Sequence, residues 1–467
     1  MGAKVATAGP GRAGLKNLGT TCYMNTSLQC LFHTPFLKEH LDKLDGEKEK
    51  NLEGKKLVRV FREYMRAIWQ HEEEDKKEED SKRGKIKKKK CITLDTDELK
   101  KVIDELDPRF RDRRQMFDAF EFLINVLSEQ LHNMMKLEIN QHLKEKTFVV
   151  TYKPGDRPNI QQFIDTSRRV WMCHVARKGK SFFSDRTWGQ DIRRSQCLAC
   201  ERFIVDFPAF RFLQVSLDEA KGPFSKRLNL ESLIEKHILG SKPIQWQCPC
   251  CGHSKKRDIG RSIWRIPDVF HIRLVRVRDM GPRSHKILAS VQYPIHLDLK
   301  YLRKSVKNFF TNDTEVISAN TSPRNQPTSS TSTRVSLLPP VPPPVHPNSP
   351  PRRARAKVND TNEHVKKAIS EEKDSDYPKL LIDERRSLKY ELFSVIAHWS
   401  WSHTSGHYVA HIKNAHDQKW YTHNDRSVKH KKSLTDTYRS VYALSYAISG
   451  TASEKLKIVN SNPAVEK

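Results

Sequence analysis

The sequence predicts an α+β fold, helical in its first part and strand-rich afterwards, with a cysteine ribbon set into the strand region. Three observations carry that expectation. Apolar residues recur at helical spacing early in the chain, most continuously at Met116, Phe120, Leu123, Leu127 and Leu131. From Phe148 the period shortens towards two, and β-branched and aromatic residues accumulate, as in Phe148-Val149-Val150-Thr151-Tyr152. Two Cys-x-x-Cys pairs, Cys197 with Cys200 and Cys248 with Cys251, interrupt the strands.

Residues 1–13 are small and basic and read as a disordered tail. Asn17 to Asn25 places Cys22 behind Gly19 and two threonines, where Met24, Leu28, Leu31 and Phe32 open an amphipathic helix that Pro35 stops. Unpaired amides at a helix start favour thiolate, the nucleophilic form of cysteine. The plainer reading is a small cysteine buried beside a core helix. A second short helix completes the stretch to Leu44, and Leu57, Val60, Phe61, Tyr64 and Ile68 mark another within Leu52 to Trp69. Residues 71–91 form a charged loop, acidic at Glu72 to Asp80 and basic at Lys82 to Lys90; the Lys87 to Lys90 run fits solvation, nuclear import or anion binding. Helices are predicted at Thr96 to Leu106 and Met116 to Leu131. Strands are predicted around Val170 to Val175, Phe203 to Leu217, Val269 to Arg278 and Tyr293 to Leu297. Residues 303–386, rich in Ser, Thr, Pro and Asn, carry too few apolar side chains to offset ordering entropy and read as a disordered insertion. Its Pro347-x-x-Pro350, near Arg352 and Arg353, fits either a plain linker or an SH3-type partner. Strands resume at Lys389 to Ala397, Tyr408 to Lys413 and Tyr442 to Ala447, and 449–467 is a tail.

A chain of 467 residues holds one large domain with insertions, or two to three ordinary ones. Its 37% hydrophobic and 30% charged content is lean for a wholly packed chain, consistent with a disordered insertion and tails. A formal charge of +28 implies an acidic partner for the basic segments, whether nucleic acid, membrane surface or protein. Nine cysteines, several in close pairs, suggest metal binding in a reducing compartment and not a secretory disulfide framework. No apolar run approaches the roughly 18 residues of a membrane span. The N-terminus lacks a signal-peptide core, and Ala6 stands where myristoylation after Gly2 wants Ser or Thr. The expectation is an intracellular, monomeric protein, cytoplasmic or nuclear, with the basic runs Lys87 to Lys90 and Arg352 to Lys357 as address candidates.

Chemistry concentrates in two constellations. Cys197, Cys200, Cys248 and Cys251 offer four thiolates in the tetrahedral set that zinc prefers, with Gly252 permitting a tight turn and Lys255, Lys256 and Arg257 offsetting negative charge. Cys250 is surplus and a competing ligand; unliganded reduced cysteines are the alternative. A closed site of this kind is structural. Cys22 also needs a base, and Gly406-His407 at the opening of a strand supplies one, while Asn424 and Asp425 offer two acceptors for the imidazole proton. The order Cys, His, Asn is papain-like.

With these residues in place, Gly14 to Asn25, continuing through Leu28-Gln29, resembles the cysteine box of the ubiquitin-specific proteases. Gly406-His407-Tyr408 with Trp420-Tyr421 and Asn424-Asp425 is similar to their histidine box. Asp118-Ala119-Phe120-Glu121-Phe122-Leu123 resembles their Gln-Gln-Asp-Ala-His-Glu-Phe-Leu helix, with Met116-Phe117 in place of the glutamines. The resemblance implies a papain-like cysteine protease with a helical thumb (14–147), zinc-ribbon fingers leading into the palm (148–290), and a β-rich palm (291–302 and 387–448). It implies Cys22 as nucleophile, His407 as base and Asn424 orienting the imidazole, with Asp425 in support or as substitute, and Asn17 aiming its amide at the oxyanion. The implied activity is hydrolysis of the bond after ubiquitin's C-terminal glycine through a thioester, with ubiquitin and ubiquitinated proteins as partners and zinc as structural cofactor. Trp399 and Trp401 precede His407 in a loop that in relatives is usually glycine-rich; their rings would narrow the channel for ubiquitin's tail or stack on it. Three alternatives stand beside this reading: a catalytically weak ubiquitin-binding scaffold, a protease for another ubiquitin-like modifier, and a zinc-ribbon nucleic-acid binder. The last would need aromatic residues among the basic runs, which have none.

Overall fold

The computed structural model describes residues 9–43, 55–69, 92–137, 148–156, 160–217, 227–239, 247–278, 285–307, 380–381, 387–400 and 405–449. The 71–91 loop, most of the 303–386 insertion with its proline motif, both basic runs, Trp401 and residues 450–467 lie outside them. Among the described residues no helix is long and apolar enough to cross a membrane.

The thumb is built around the helix Cys22–Phe32, every residue of which is buried. The sequence predicts an amphipathic helix, yet its polar side is covered too, because those side chains satisfy backbone carbonyls of neighbouring segments. Ser27 Oγ donates to the Ala119 carbonyl at 2.7 Å, and Gln29 Nε2 to the Ala13 carbonyl at 2.9 Å. Helices Lys56–Trp69 and Asp97–Leu106 pack nearby. The helix expected from Met116 begins at Ala119, because Asp118 takes an extended conformation and caps it, its Oδ1 accepting from the N–H groups of Phe120 and Glu121 at 2.8 and 2.9 Å. That run passes through a π-helical turn, Phe122–Ser128, and ends at Met135. Residues 9–13, a tail by sequence, are packed: Gly11 N–H donates to the Ile68 carbonyl at 2.8 Å and Asn414 Nδ2 to the Pro10 carbonyl at 2.7 Å.

The palm is an eight-stranded sheet. Its main path runs Ser427–His430, Trp420–Asn424, His407–Lys413, Lys389–Trp399, Val441–Ile448, Val269–Val275, Leu213–Ser216. Only the last pair is parallel among these neighbours. Alternating side chains serve opposite cores: Ile396 and Ala443 face the thumb, Val395 and Leu444 the core shared with the fingers. Proline interrupts two of the predicted strand regions, dividing the first and delaying the start of the second, expected from Tyr293, to His296. Pro208 separates Phe203–Asp206 from Ala209–Phe210, and Pro294 separates Val291–Gln292 from His296–Asp298. The helix Leu302–Lys307 carries order past the palm boundary expected at residue 302, with Val306 buried.

The strand predicted at Val170 to Val175 is instead the middle of a helix, Ile160–Lys178. Its buried stripe is Phe163, Ser167, Trp171, Met172 and Val175. Ser167 hides the helical period, because a polar residue sits in the stripe; its carbonyl accepts from Gln190 Nε2 at 3.1 Å.

In the fingers, Gly189–Cys197 pairs along most of its length with Lys256–Arg265 on one side, and with Phe203–Asp206 and Ala209–Phe210 on the other. Cys197 lies opposite Lys256, so this ladder brings the two cysteine knuckles together at the fingertip.

Candidate active site and metal cluster

Cys22 sits where thumb meets palm, as the first residue of its helix and only 2% exposed. The loop before it is held from both sides. Asn17 Oδ1 accepts from the N–H groups of Gly19 and Thr21 at 3.1 and 3.2 Å and from Thr21 Oγ1 at 3.1 Å. Gly19 takes φ +130°, and a Cβ there would meet the Arg113 carbonyl oxygen at 2.6 Å, so this close approach requires glycine.

His407 opens the strand that packs against the Cys22 helix. Its Nε2 lies 2.7 Å from Asn424 Oδ1, which leaves Nδ1 as the ring nitrogen open towards Cys22. The neighbouring Cys22 side chain is the largest influence pushing the imidazole pKa up to about 9, against desolvation and with help from Asn424 and the charge of Asp425. Gly406, at φ +145°, lets the strand begin this close to the preceding loop; a Cβ would lie 2.4 Å from Ser400 Cβ and 2.5 Å from His398 Nε2.

The two candidate acceptors separate by geometry. Asn424 makes the direct contact, whereas Asp425 Oδ2 is 3.8 Å from Nε2. Asp425 spends its oxygens on the thumb: Oδ2 accepts from Asn17 Nδ2 at 2.8 Å and Oδ1 from Asn25 Nδ2 at 2.7 Å. Its own carbonyl accepts from Leu15 N–H at 2.9 Å, in a hairpin turn where Asp425 adopts φ +48°. Asp425 thereby joins the cysteine loop to the strand end carrying Asn424. Asn25 is legible in principle: three positions after Cys22 on a helix, it shares the face of Cys22.

Asp118 makes a second link across the cleft. Its Oδ2 accepts from Arg273 at 2.8 Å and from the Tyr442 hydroxyl, and Arg273 also reaches Glu121 at 3.0 Å. These partners hold the Arg273 guanidinium well above its usual range although burial opposes them. Met116-Phe117, standing where the resemblance has two glutamines, brings Phe117 into an aromatic cluster, 5.3 Å from Tyr23 and 4.6 Å from Phe110 between ring centroids.

Behind His407 stands Lys286, which no sequence pattern singles out. Its buried ammonium donates to the carbonyls of His398 and Ser400 at 3.0 and 2.8 Å and lies 3.2 Å from His398 Nδ1. Burial, then the charge of Arg276, lowers the Lys286 pKa to about 8.

At the fingertip, Cys197, Cys200, Cys248 and Cys251 place their sulfurs within 4.8 Å of one another, with Cys197 to Cys251 and Cys200 to Cys248 each at 3.7 Å. None of the four is in a disulfide. Sulfurs about 2.3 Å from a tetrahedral ion stand about 3.8 Å apart, so the set fits one metal ion and is too open for a disulfide. Cys250 is exposed and outside the cluster.

Comparison with known proteins agrees with this architecture. A human protein, ubiquitin carboxyl-terminal hydrolase 2, is 29% identical over 300 residues, covering 62% of this chain and 44% of its own length. Ubiquitin carboxyl-terminal hydrolase 9 of Arabidopsis thaliana is 26% identical over 214 residues, covering 44% of this chain and 20% of its own. The chain thus spans less than half the length of these relatives. Among solved structures, the SAGA DUB module of Ubp8, Sgf11, Sus1 and Sgf73 bound to monoubiquitin superposes with a TM-score of 0.55 at 14% identity, covering 96% of this chain and 72% of that one; this likeness establishes the papain-like fold with thumb, palm and fingers. The family model for ubiquitin carboxyl-terminal hydrolase matches residues 13–446, from the cysteine loop through both sheets to the last palm strand, and the chain belongs to that family.

Proposed function

We propose that this protein is a deubiquitinating cysteine protease that hydrolyses the isopeptide or peptide bond after the C-terminal glycine of ubiquitin. The observation that carries the reading is the His407 to Asn424 bond at 2.7 Å beside Cys22 at its helix start, in a chain of this family. The Cys22 thiolate attacks the glycine carbonyl, and the imidazolium of His407 gives its proton to the departing lysine amine as the thioester forms. His407 then takes a proton from water, whose oxygen attacks the thioester; the carboxylate leaves and Cys22 is restored. Asn424 holds the ring by accepting from Nε2–H. Asp425 takes one of the two amide protons of Asn17, so the other is available to the oxyanion together with the N–H at the start of the Cys22 helix. Zinc is the metal that best suits the four thiolates, and it would brace the fingertip without entering the reaction.

A ubiquitin probe with an electrophilic C-terminus tests the reading. Covalent labelling of the wild-type chain, lost on Cys22→Ala, is expected; absence of labelling would leave the binding-scaffold reading in its place. A probe built on another modifier that reacts faster would shift the assignment to that modifier.

The raised pKa of His407 fixes a pH dependence. The imidazolium needed for leaving-group protonation persists below about pH 9 and is lost above it, so kcat/KM should fall on the alkaline side near that value. Asn424→Ala removes one of the contacts that raise the pKa, and its alkaline limb should move down towards the ordinary histidine value near 6.5. A limb that stays in place in a pH-rate profile would remove Asn424 from this role.

A further inference from the structure

Trp399 is a large apolar side chain left 45% exposed beside the histidine of the relay. It pairs directly across the strands with His407, so both side chains project from the same face of the palm sheet, and their ring centroids stand 6.3 Å apart at 48°. The backbone at this strand end is held on both sides. Lys286 grips the carbonyls on either side of Trp399, those of His398 and Ser400, while the imidazole of His398 stacks on Tyr408 at 4.3 Å and 17°. Gly406 packs so tightly against this strand end that no side chain fits there. An indole carried on backbone held in this way, with much of its face in water, is placed to meet an apolar partner.

We propose that Trp399 is a specificity-determining residue of the leaving-group side, packing its indole on the aliphatic stem of the substrate lysine that carries the isopeptide bond. The inference rests on the reading of the site as a deubiquitinase. Protonation of the departing amine requires its nitrogen beside the His407 ring, which brings the lysine methylenes past the indole next to it. The acyl side has less to offer that surface, because the terminal glycine has no side chain. Lys286 acts as a positioning residue, holding the indole in register through the two flanking carbonyls.

The test compares two reagents on Trp399→Ala, Trp399→Phe and wild type. One is ubiquitin joined by an isopeptide bond to a lysine-containing peptide; the other is ubiquitin propargylamide, which reacts with the thiol but has no lysine stem. The expected result for Trp399→Ala is a fall of about tenfold in kcat/KM for the isopeptide relative to the labelling rate, equivalent to about 1.4 kcal/mol of differential transition-state stabilisation. Trp399→Phe should recover most of it. Lys286→Met should show the same discrimination against the isopeptide in weaker form, and Lys286→Arg should restore it. An equal fall with both reagents would place Trp399 on the ubiquitin tail or in general support of the site, and no fall with either would make it a bystander; both outcomes overturn the proposal. Failure of wild type to label with the propargylamide would instead sink the deubiquitinase reading itself.

Discussion

Cys22→Ala is expected to reduce turnover of a ubiquitin C-terminal substrate to background, a loss of about four orders of magnitude or more, while ubiquitin still binds with nearly its original affinity. The chemistry requires that size of effect, because no other described cysteine lies near the relay: Cys30 is buried and hydrogen-bonded to Ser394 Oγ, with burial pushing its thiol up to about 12. The fold should tolerate the change. Alanine is the best helix former, the deleted sulfur is one atom, and the loop is held by Asn17 and Asp425 and not by the thiol. The loss of a buried methyl-sized group costs about 1 kcal/mol, small against the stability of a domain of this size. Turnover measured beside calorimetric titration with ubiquitin separates the two properties. Retained hydrolysis would mean that the nucleophile is misassigned, and lost binding would mean that the thiol has a structural role the geometry does not suggest.

Local order is the part of the structure that the sequence makes legible. The Cys22 helix, the His407 strand, the knuckles and most palm strands arise from periodicity and punctuation, which act within a few residues. The illegible part depends on distant segments meeting. Asp425 reads from sequence as a rival to Asn424 for the imidazole, but its side chain is taken by Asn17 and Asn25, about four hundred positions earlier, and no local pattern encodes that. Val170 to Val175 reads as a strand because Ser167 breaks an apolar stripe whose missing member is supplied by burial against the finger strand at Gln190. The parallel pairing of Gly14–Leu15 with Thr93–Leu94 is equally silent, since two-residue strands have no period to detect. Lys286 is the extreme case, one lysine among many in a basic chain, distinguished only by the carbonyls it meets.

Removing a cysteine from the fingertip is expected to abolish metal binding there and unfold the tip while sparing the proposed relay of Cys22, His407 and Asn424. The apolar cluster at the tip consists of Cys197, Ile204 and Cys248, with Val149 and Cys200 packed on it, and it is separate from the two large cores. So small a cluster offers little to offset the entropy of ordering two knuckles, which is the difference an ion held by the four thiolates would supply. Cys248→Ser should therefore bring metal content from about one ion per chain to near none, with faster amide exchange through Gly189–Cys197 and its partner Lys256–Arg265 at their distal ends. Cys250→Ser is the matched control: its side chain is exposed and outside the cluster, so metal content should hold. The thumb and palm cores do not include the knuckles, so alkylation of Cys22 by a small reagent should continue at a similar rate, while turnover of ubiquitin substrates weakens through KM. Metal retained in Cys248→Ser would refute the site, and metal lost in Cys250→Ser would transfer the fourth ligand to Cys250. Loss of small-reagent alkylation along with the metal would show instead that the fingertip supports the catalytic cleft at long range, through the strand Gly189–Cys197 that runs from the knuckle back towards the palm.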